Sequence, residues 1–208
     1  MGEVRIRDTL SGELRTLDAD GGEVGIYACG PTVYSRIHIG NARPFVVFSL
    51  LRRFLEAEGY AARLVVNVTD VNDKIYTAAE AAGKPSAEWA EEMTRAYVED
   101  TDRLGVGRPD AEPLATETLP QIIDLIERLV ADGRAYRAGG DVYFAVRGFP
   151  EYGRLSGQDP DRLLEGARVE PGEHKRDPLD FALWKAKKTD EDTSWESPWG
   201  LGRPGWHI

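Results

Sequence analysis

Two short apolar runs, Val24-Gly25-Ile26-Tyr27-Ala28 and Leu64-Val65-Val66-Asn67-Val68, bracket a stretch whose apolar residues recur at helical spacing. No other feature of the chain restricts its fold as tightly. Phe45, Val47, Phe48, Leu51 and Leu55 share one helix face. Pro44 stands where a first-turn proline would, and Gly59 marks a stop. Strand, crossover helix and strand predict a right-handed βαβ unit. The second run is β-branched and apolar at successive positions, which predicts a strand of a parallel sheet covered by helices on both faces.

Beyond Lys74 the periodicity predicts helices over 75–83 and 86–104, the second carrying Trp89, Met93, Ala96, Tyr97 and Thr101 along one face. Gly107, Pro109 and Pro113 mark a turn-rich break. Ile122, Ile123, Leu125, Ile126, Leu129 and Val130 give a strongly amphipathic helix over 120–132, ended by Gly133. Gly139-Gly140 between 135–138 and 141–146 reads as a hairpin turn. Residues 147–194 are rich in Gly, Pro and charge, with Phe181-Ala182-Leu183-Trp184 as their apolar anchor. Together these segments suggest a small inserted α+β module. The stretch 194–208 is rich in Trp, Gly and Pro and stops on Trp206-His207-Ile208, which suggests a chain cut inside a domain.

A length of 208 residues suits one domain of ordinary size, with or without an insertion. No run approaches the roughly 18 apolar residues of a membrane span, and Met1 to Arg5 lacks a signal peptide's apolar stretch. One cysteine excludes an intrachain disulfide framework, so a reduced, cytoplasmic setting is expected. A formal charge of −10 argues against a surface that coats nucleic acid, while leaving room for a local basic groove.

His38-Ile39-Gly40-Asn41 follows the first strand and its loop. A helix start there would aim backbone N–H groups and a positive dipole end at a phosphate. His38 and Asn41 could donate to a phosphate whose charge grows in a transition state, and Gly40 would let a nucleotide approach the backbone. An ordinary capped loop fits the same four residues. Cys29 lies at the carboxyl end of the first strand, where open α/β sheets bind ligands. It suits a buried small hydrophobe, a nucleophile or a zinc ligand, but zinc needs at least two further protein ligands. Neither of the other histidines, His174 and His207, stands at ligand spacing. Thr69-Asp70-Val71-Asn72-Asp73-Lys74 closes the second strand; it could hold an ammonium group or a ribose, and Thr69 or Asp70 could equally cap the helix carrying Lys74. Lys175-Arg176 reads as part of a solvated face.

Taken together, four segments resemble the cysteinyl-tRNA synthetases, a family of class I aminoacyl-tRNA synthetases. Tyr27-Ala28-Cys29-Gly30-Pro31-Thr32-Val33-Tyr34 leading to His38-Ile39-Gly40-Asn41 is similar to the family's form of the class I His-Ile-Gly-His signature. Asn67 to Lys74, Lys175 to Lys185 and Trp195 to Ile208 match further family segments in the same order. The resemblance implies an α/β, Rossmann-type catalytic domain split by an α+β connective insertion. Residues 1–112 would be its first half, 113–193 the insertion, and 194–208 the opening of a second half that lies beyond this chain.

The implied activity is that of a cysteine–tRNA ligase: cysteine and ATP form cysteinyl-adenylate and pyrophosphate, and the cysteinyl group passes to tRNA-Cys. By resemblance, His38 and Asn41 are catalytic, and Gly30, His38, Gly40 and Asn41 bind ATP with its Mg2+. Cys29, Thr69 and Trp206 line the cysteine pocket, and Cys29 is one ligand of a Zn2+ whose other ligands lie past Ile208. Zinc prefers soft sulfur and so separates cysteine from serine. Asn41 replaces the usual second histidine and can still donate a hydrogen bond. The family's lysine loop and anticodon-binding helices have no counterpart in these 208 residues, so adenylate formation by this length alone is expected to be impaired. A monomeric, cytoplasmic full-length enzyme without membrane association is implied. Two alternatives stand beside it: a ligase joining cysteine to an amino-sugar inositol, and a non-catalytic nucleotide- or tRNA-binding fragment.

Overall fold

A computed structural model of the protein describes residues 2–19, 22–165 and 174–205. The elements in chain order are β1 (Arg5–Arg7), β2 (Leu14–Thr16), β3 (Glu23–Ala28), α1 (Ile39–Ala57), β4 (Ala61–Val66), α2 (Asp73–Ala82) and α3 (Ser86–Arg103). They continue with α4 (Leu119–Ala131), β5 (Ala135–Ala138), β6 (Asp141–Phe144), α5 (Pro160–Glu165), β7 (Phe181–Ala186) and β8 (Gly202–Pro204). The chain divides into two compact units, Met1–Ile6 with Thr16–Thr118 and Arg7–Arg15 with Leu119–Ile208. Among the described residues no helix is long and apolar enough to cross a membrane.

The first unit is built on the βαβ element. β3 and β4 pair in parallel, from Glu23 opposite Ala61 to Ala28 opposite Val66. The far edge of β4 is also paired: parallel bridges join Val65 to Ala111 and Val68 to Leu114. The Val66 N–H donates to the Ala111 carbonyl at 3.0 Å, and the Val68 N–H to the Pro113 carbonyl at 2.9 Å. Residues 110–115 thus add an irregular third strand where the prolines predicted only a break. Pro113 takes part as an acceptor, which needs no N–H of its own.

Ile26, Ala28, Leu64, Val66 and Val68 turn inward and pack with Phe45 and Leu55 of α1 and with Met93 and Tyr97 of α3. Val47, expected on the same face of α1, is exposed instead, because it lies about 200° round the helix from Phe45 at 3.6 residues per turn. Full burial of a side chain such as Leu55 is worth about 2 kcal/mol. The opposite face of the sheet is open: Glu23, Gly25, Tyr27 and Arg63 are exposed and Val65 is half-buried. This corrects the expectation of a strand covered on both faces. Successive apolar residues in β4 point to both sides, and only one side is covered.

Two helix starts also differ from expectation. α1 begins at Ile39, with His38 as its N-cap, and Pro44 lies inside it. Pro44 cannot donate to the Gly40 carbonyl, so one bond of the helical ladder is lost rather than a first turn being set. α2 is capped by Asn72, whose side-chain oxygen accepts the Lys74 N–H at 3.0 Å; neither Thr69 nor Asp70 serves as its cap.

In the second unit, β5, β6, β7 and β8 form an antiparallel sheet in that order. The β5–β6 hairpin turns on Gly139 and Gly140, both at positive φ, as a two-residue turn of this hand requires. α4 lays Leu119 and Ile126 against Val142, Leu183 and Trp184. β8 brings a buried guanidinium, Arg203, onto the equally buried Glu191 carboxylate at 2.8 Å. Buried Asp180 accepts the Tyr136 hydroxyl at 2.6 Å and the Val146 N–H at 2.9 Å. Arg176 is exposed, as a solvated face requires, and its guanidinium lies 4.0 Å from the Tyr136 ring centre.

Burial, reinforced by the bond to Asp180, pushes the Tyr136 phenol up to about 12, and burial likewise raises Tyr143. The fold therefore favours the neutral phenols. Their contribution is complete below the unfolded value of about 10 and is lost as pH climbs through the folded one. Urea unfolding of the second unit should show stability falling between pH 10 and 12, and Tyr136→Phe should flatten part of that slope. An unchanged slope in the variant would contradict the assignment.

Candidate active site

The carboxyl ends of β3 and β4 are clasped together. The Gly30 N–H donates to Asn67 Oδ1 at 3.0 Å. One step on, the Thr69 N–H donates to the Pro31 carbonyl at 2.9 Å and the Val33 N–H to the Thr69 carbonyl at 3.1 Å. The two chains run so close at Gly30 that an added methyl would lie 1.6 Å from the Asn67 carbonyl oxygen. Cys29 sits just before this clasp with its side chain exposed. Thr69, half-buried, bridges to Thr32 on the extension of β4. Open parallel sheets place their ligands at this end.

The second cluster opens α1. His38 Nδ1 accepts the Gly40 N–H at 3.0 Å, and Asn41 Oδ1 accepts the His38 N–H at 3.2 Å. This reciprocal box satisfies two donors that a helix start leaves without partners. It also decides what the side chains can offer a ligand. A neutral imidazole accepting at Nδ1 carries its proton on Nε2, and an amide accepting at Oδ1 keeps both N–H bonds of its nitrogen free. Capping and ligand binding therefore use different atoms of the same residues. A methyl at Gly40 would lie 2.8 Å from His38 Cε1, so the ring would have to shift.

The loop between the clusters is anchored from the helices behind it. Trp89 Nε1 donates to the Tyr34 carbonyl at 2.9 Å, and the Lys74 ammonium lies 5.2 Å from the Tyr34 ring centre. Beside His38 a cleft of about 460 Å3 opens, lined in part by Arg36, Ile39, Asp100, Arg103 and Leu104. Arg36 is paired with Asp100 at 2.5 Å. Two guanidiniums against one carboxylate, next to a helix N-terminus, give this mouth a net positive field.

The structure thus gathers the expected residues into two groups, Cys29, Gly30 and Thr69 at the sheet ends and His38, Gly40 and Asn41 at the head of α1. Trp206 lies outside the described residues. Among the described residues, no three His, Cys, Asp or Glu side chains come together as a metal site. Sequence reasoning missed three supports. Asn67 was visible only as a polar residue interrupting an apolar run, Trp89 only as one of a helix-face set, and Asp70 as a possible cap. In the fold Asp70 accepts the Thr116 N–H at 3.0 Å and the Thr116 hydroxyl, tying the loop after β4 to the turn that follows the third strand.

Residues 16–208 match the catalytic domain family of the tRNA synthetases class I (C). The chain belongs to that family. It is 54% identical to the cysteine–tRNA ligase of Anaeromyxobacter sp. (strain Fw109-5) over 205 residues, covering 98% of this chain and 42% of the relative. The cysteine–tRNA ligase of Bacillus licheniformis is 52% identical over 187 residues, covering 90% of this chain and 40% of that protein. The chain therefore spans about two-fifths of the length of these curated relatives. Among solved structures, a Mycobacterium tuberculosis methionyl-tRNA synthetase bound by methionyl-adenylate resembles it with a TM-score of 0.50. That likeness has 22% identity and covers 60% of this chain and 25% of that one, and it bears on the fold alone. The α/β class I synthetase fold and the cysteinyl family expected from the sequence are both borne out.

In this class I (C) domain the clasp at Gly30 should be sharply intolerant. Gly30→Ala is expected to destabilise the first unit by about 3 kcal/mol, as overpacking against backbone does. Gly25→Ala, where a methyl meets nothing within 4 Å, should change it by no more than about 0.5 kcal/mol. Urea titrations of the two variants compare them directly, and equal effects would show that the clasp does not hold the strand ends.

Proposed function

We propose that this chain carries the ATP-phosphate and amino-acid-binding half of a cysteine–tRNA ligase site. One observation supports the reading above the rest: the box of His38 and Asn41 occupies Nδ1 of one and Oδ1 of the other, leaving the Nε2–H and the amide N–H groups outside the cap at the positive end of α1. In the proposed reaction a cysteine carboxylate oxygen attacks the α-phosphorus of ATP. The bond to the bridging oxygen breaks, pyrophosphate departs with that electron pair, and cysteinyl-adenylate remains. Negative charge grows on the phosphate oxygens as the new bond forms. Donors fixed by the helix cap meet that charge without reorganising, which is the most effective kind of electrostatic catalysis. In a second step the 3′-terminal ribose of tRNA-Cys takes the cysteinyl group and AMP leaves.

Gly30, its N–H held by Asn67, and Gly40 contribute bare backbone to the nucleotide, while Thr69 and Cys29 face the amino acid. A zinc ion would supply a soft contact for the substrate thiolate, and Mg2+ would accompany ATP. The described residues do not by themselves assemble a metal site around Cys29, so no step is routed through either ion. The proposed setting is the reduced cytoplasm, with the full-length enzyme acting as a monomer.

The test joins this chain to the remaining length of the Anaeromyxobacter relative and measures pyrophosphate exchange into ATP. Exchange that requires cysteine, is absent with serine and falls about 100- to 1,000-fold in His38→Ala is the expected result. No cysteine-dependent exchange overturns the assignment. Transfer of the cysteinyl group to an amino-sugar inositol instead of tRNA-Cys replaces the acceptor.

A further inference from the structure

The first turn of α1 is less secured than the turns that follow. Pro44 has no N–H to give the Gly40 carbonyl, so the turn holding His38, Gly40 and Asn41 lacks one rung to the turn above it. The cap bonds of His38 and Asn41 run within residues 38–41. They orient the ring and the amide inside that turn, but they do not fix how far the turn stands from the ends of β3 and β4. Phe45 is the first residue of α1 in the core of the unit.

Residues 34–37, which lead into His38, lie in no helix or strand. Just upstream, Val33 is buried and its N–H donates to the Thr69 carbonyl at 3.1 Å, which ties the loop to the sheet. α3 then grips the loop at two points. Trp89 Nε1 donates to the Tyr34 carbonyl at 2.9 Å, and the Asp100 carboxylate pairs with the Arg36 guanidinium. Trp89 and Asp100 stand eleven positions apart on α3, close to three full turns, so both project from one face of the helix. The two grips are unequal. An ion pair whose arginine side chain is 53% exposed holds weakly in water. The indole bond is half-buried, and Lys84, itself paired with Glu92, lies over the Trp89 ring with its ammonium 5.8 Å from the ring centre. Losing the indole N–H would leave the Tyr34 carbonyl half-buried without that partner.

We propose that Trp89 is a positioning residue for the reaction. Through the Tyr34 carbonyl it sets the distance between the phosphate-facing donors at the head of α1 and the amino-acid group at the sheet ends, with Asp100 as a weaker second brace. This role rests on the reading of His38 and Asn41 as phosphate donors. The cysteine carboxylate is held from one group and the α-phosphate from the other. Attack requires the reacting atoms to meet at about 3–3.5 Å. A loosened brace therefore slows the chemical step while each substrate keeps its own contacts.

The experiment uses this chain joined to the remaining length of the Anaeromyxobacter relative. It compares Trp89→Phe, which keeps an aromatic ring and removes the N–H, with Ala96→Gly, which weakens α3 between its two grips. Trp89→Phe should lower kcat for cysteine-dependent pyrophosphate exchange about 10-fold or more, with KM for cysteine and for ATP moving less than about 2-fold. Ala96→Gly should lower the melting temperature at least as far and leave kcat unchanged. Deuterium uptake over residues 38–41 should quicken about 5-fold or more in Trp89→Phe, while uptake in β4 stays as it was. Asp100→Asn, expected to lower kcat about 3-fold, carries the same test if Trp89→Phe does not fold. An unchanged kcat in Trp89→Phe, an equal loss in Ala96→Gly, or a loss that lies in KM overturns the proposal. If the unmodified joined enzyme shows no cysteine-dependent pyrophosphate exchange, the proposed reaction fails and deuterium uptake decides the brace: faster uptake at 38–41 upholds it, and unchanged uptake overturns it.

Discussion

The parallel pairing of β3 with β4 is the constraint from which the first unit follows. Its register, Ala28 opposite Val66, fixes where the chains end together and where Gly30 must pass Asn67. A slip of β3 by one residue would turn Ile26 and Ala28 from the core face to the open one. It would also carry Cys29 to the other side of the sheet. The clasp that follows, with its short bonds through Asn67, Pro31 and Thr69, converts strand register into the position of a loop. That loop in turn delivers His38 to the start of α1. Packing, loop path and helix cap are successive consequences of one hydrogen-bonded ladder.

The cap shows how structural and functional demands can share a residue. Helix starts favour short polar side chains that accept a backbone N–H, and a histidine is an unusual choice for that position. Its ring has a second nitrogen, which the cap leaves outside. Asn41 divides its labour in the same way between oxygen and nitrogen. The arrangement needs no additional framework to orient the donors, because the hydrogen bonds that begin the helix also set the ring and the amide.

Elements whose signal is local were legible in the sequence. β3, α1, α3, α4 and the β5–β6 hairpin declare themselves through apolar period, glycine stops or paired turn glycines. The start of α1 was misread because Pro44 has a strong preference for first turns, while the actual start depends on a side chain bonding two residues ahead. The pairing of 110–115 was hidden by Pro109 and Pro113, which signal breaks although a carbonyl is enough to join an edge. The open face of β4 could not be told from Leu64-Val65-Val66, since composition says which residues tolerate burial and not which neighbours arrive to bury them. The residues at the two ends of the site were visible as a motif. The contacts of Asn67, Trp89 and Asp70 that hold them span 37, 55 and 46 positions of the chain, a range no local pattern conveys.

Cys29 is the only thiol in the chain, exposed at the end of β3 one residue before the Gly30 clasp. A maleimide dye or a spin label attached to this chain reports from that one place, with no background from a second thiol. Native chemistry has thus left the sheet end with a built-in spectroscopic address. Signals read there register motion of the loop against β4 before any engineered mutation has been introduced.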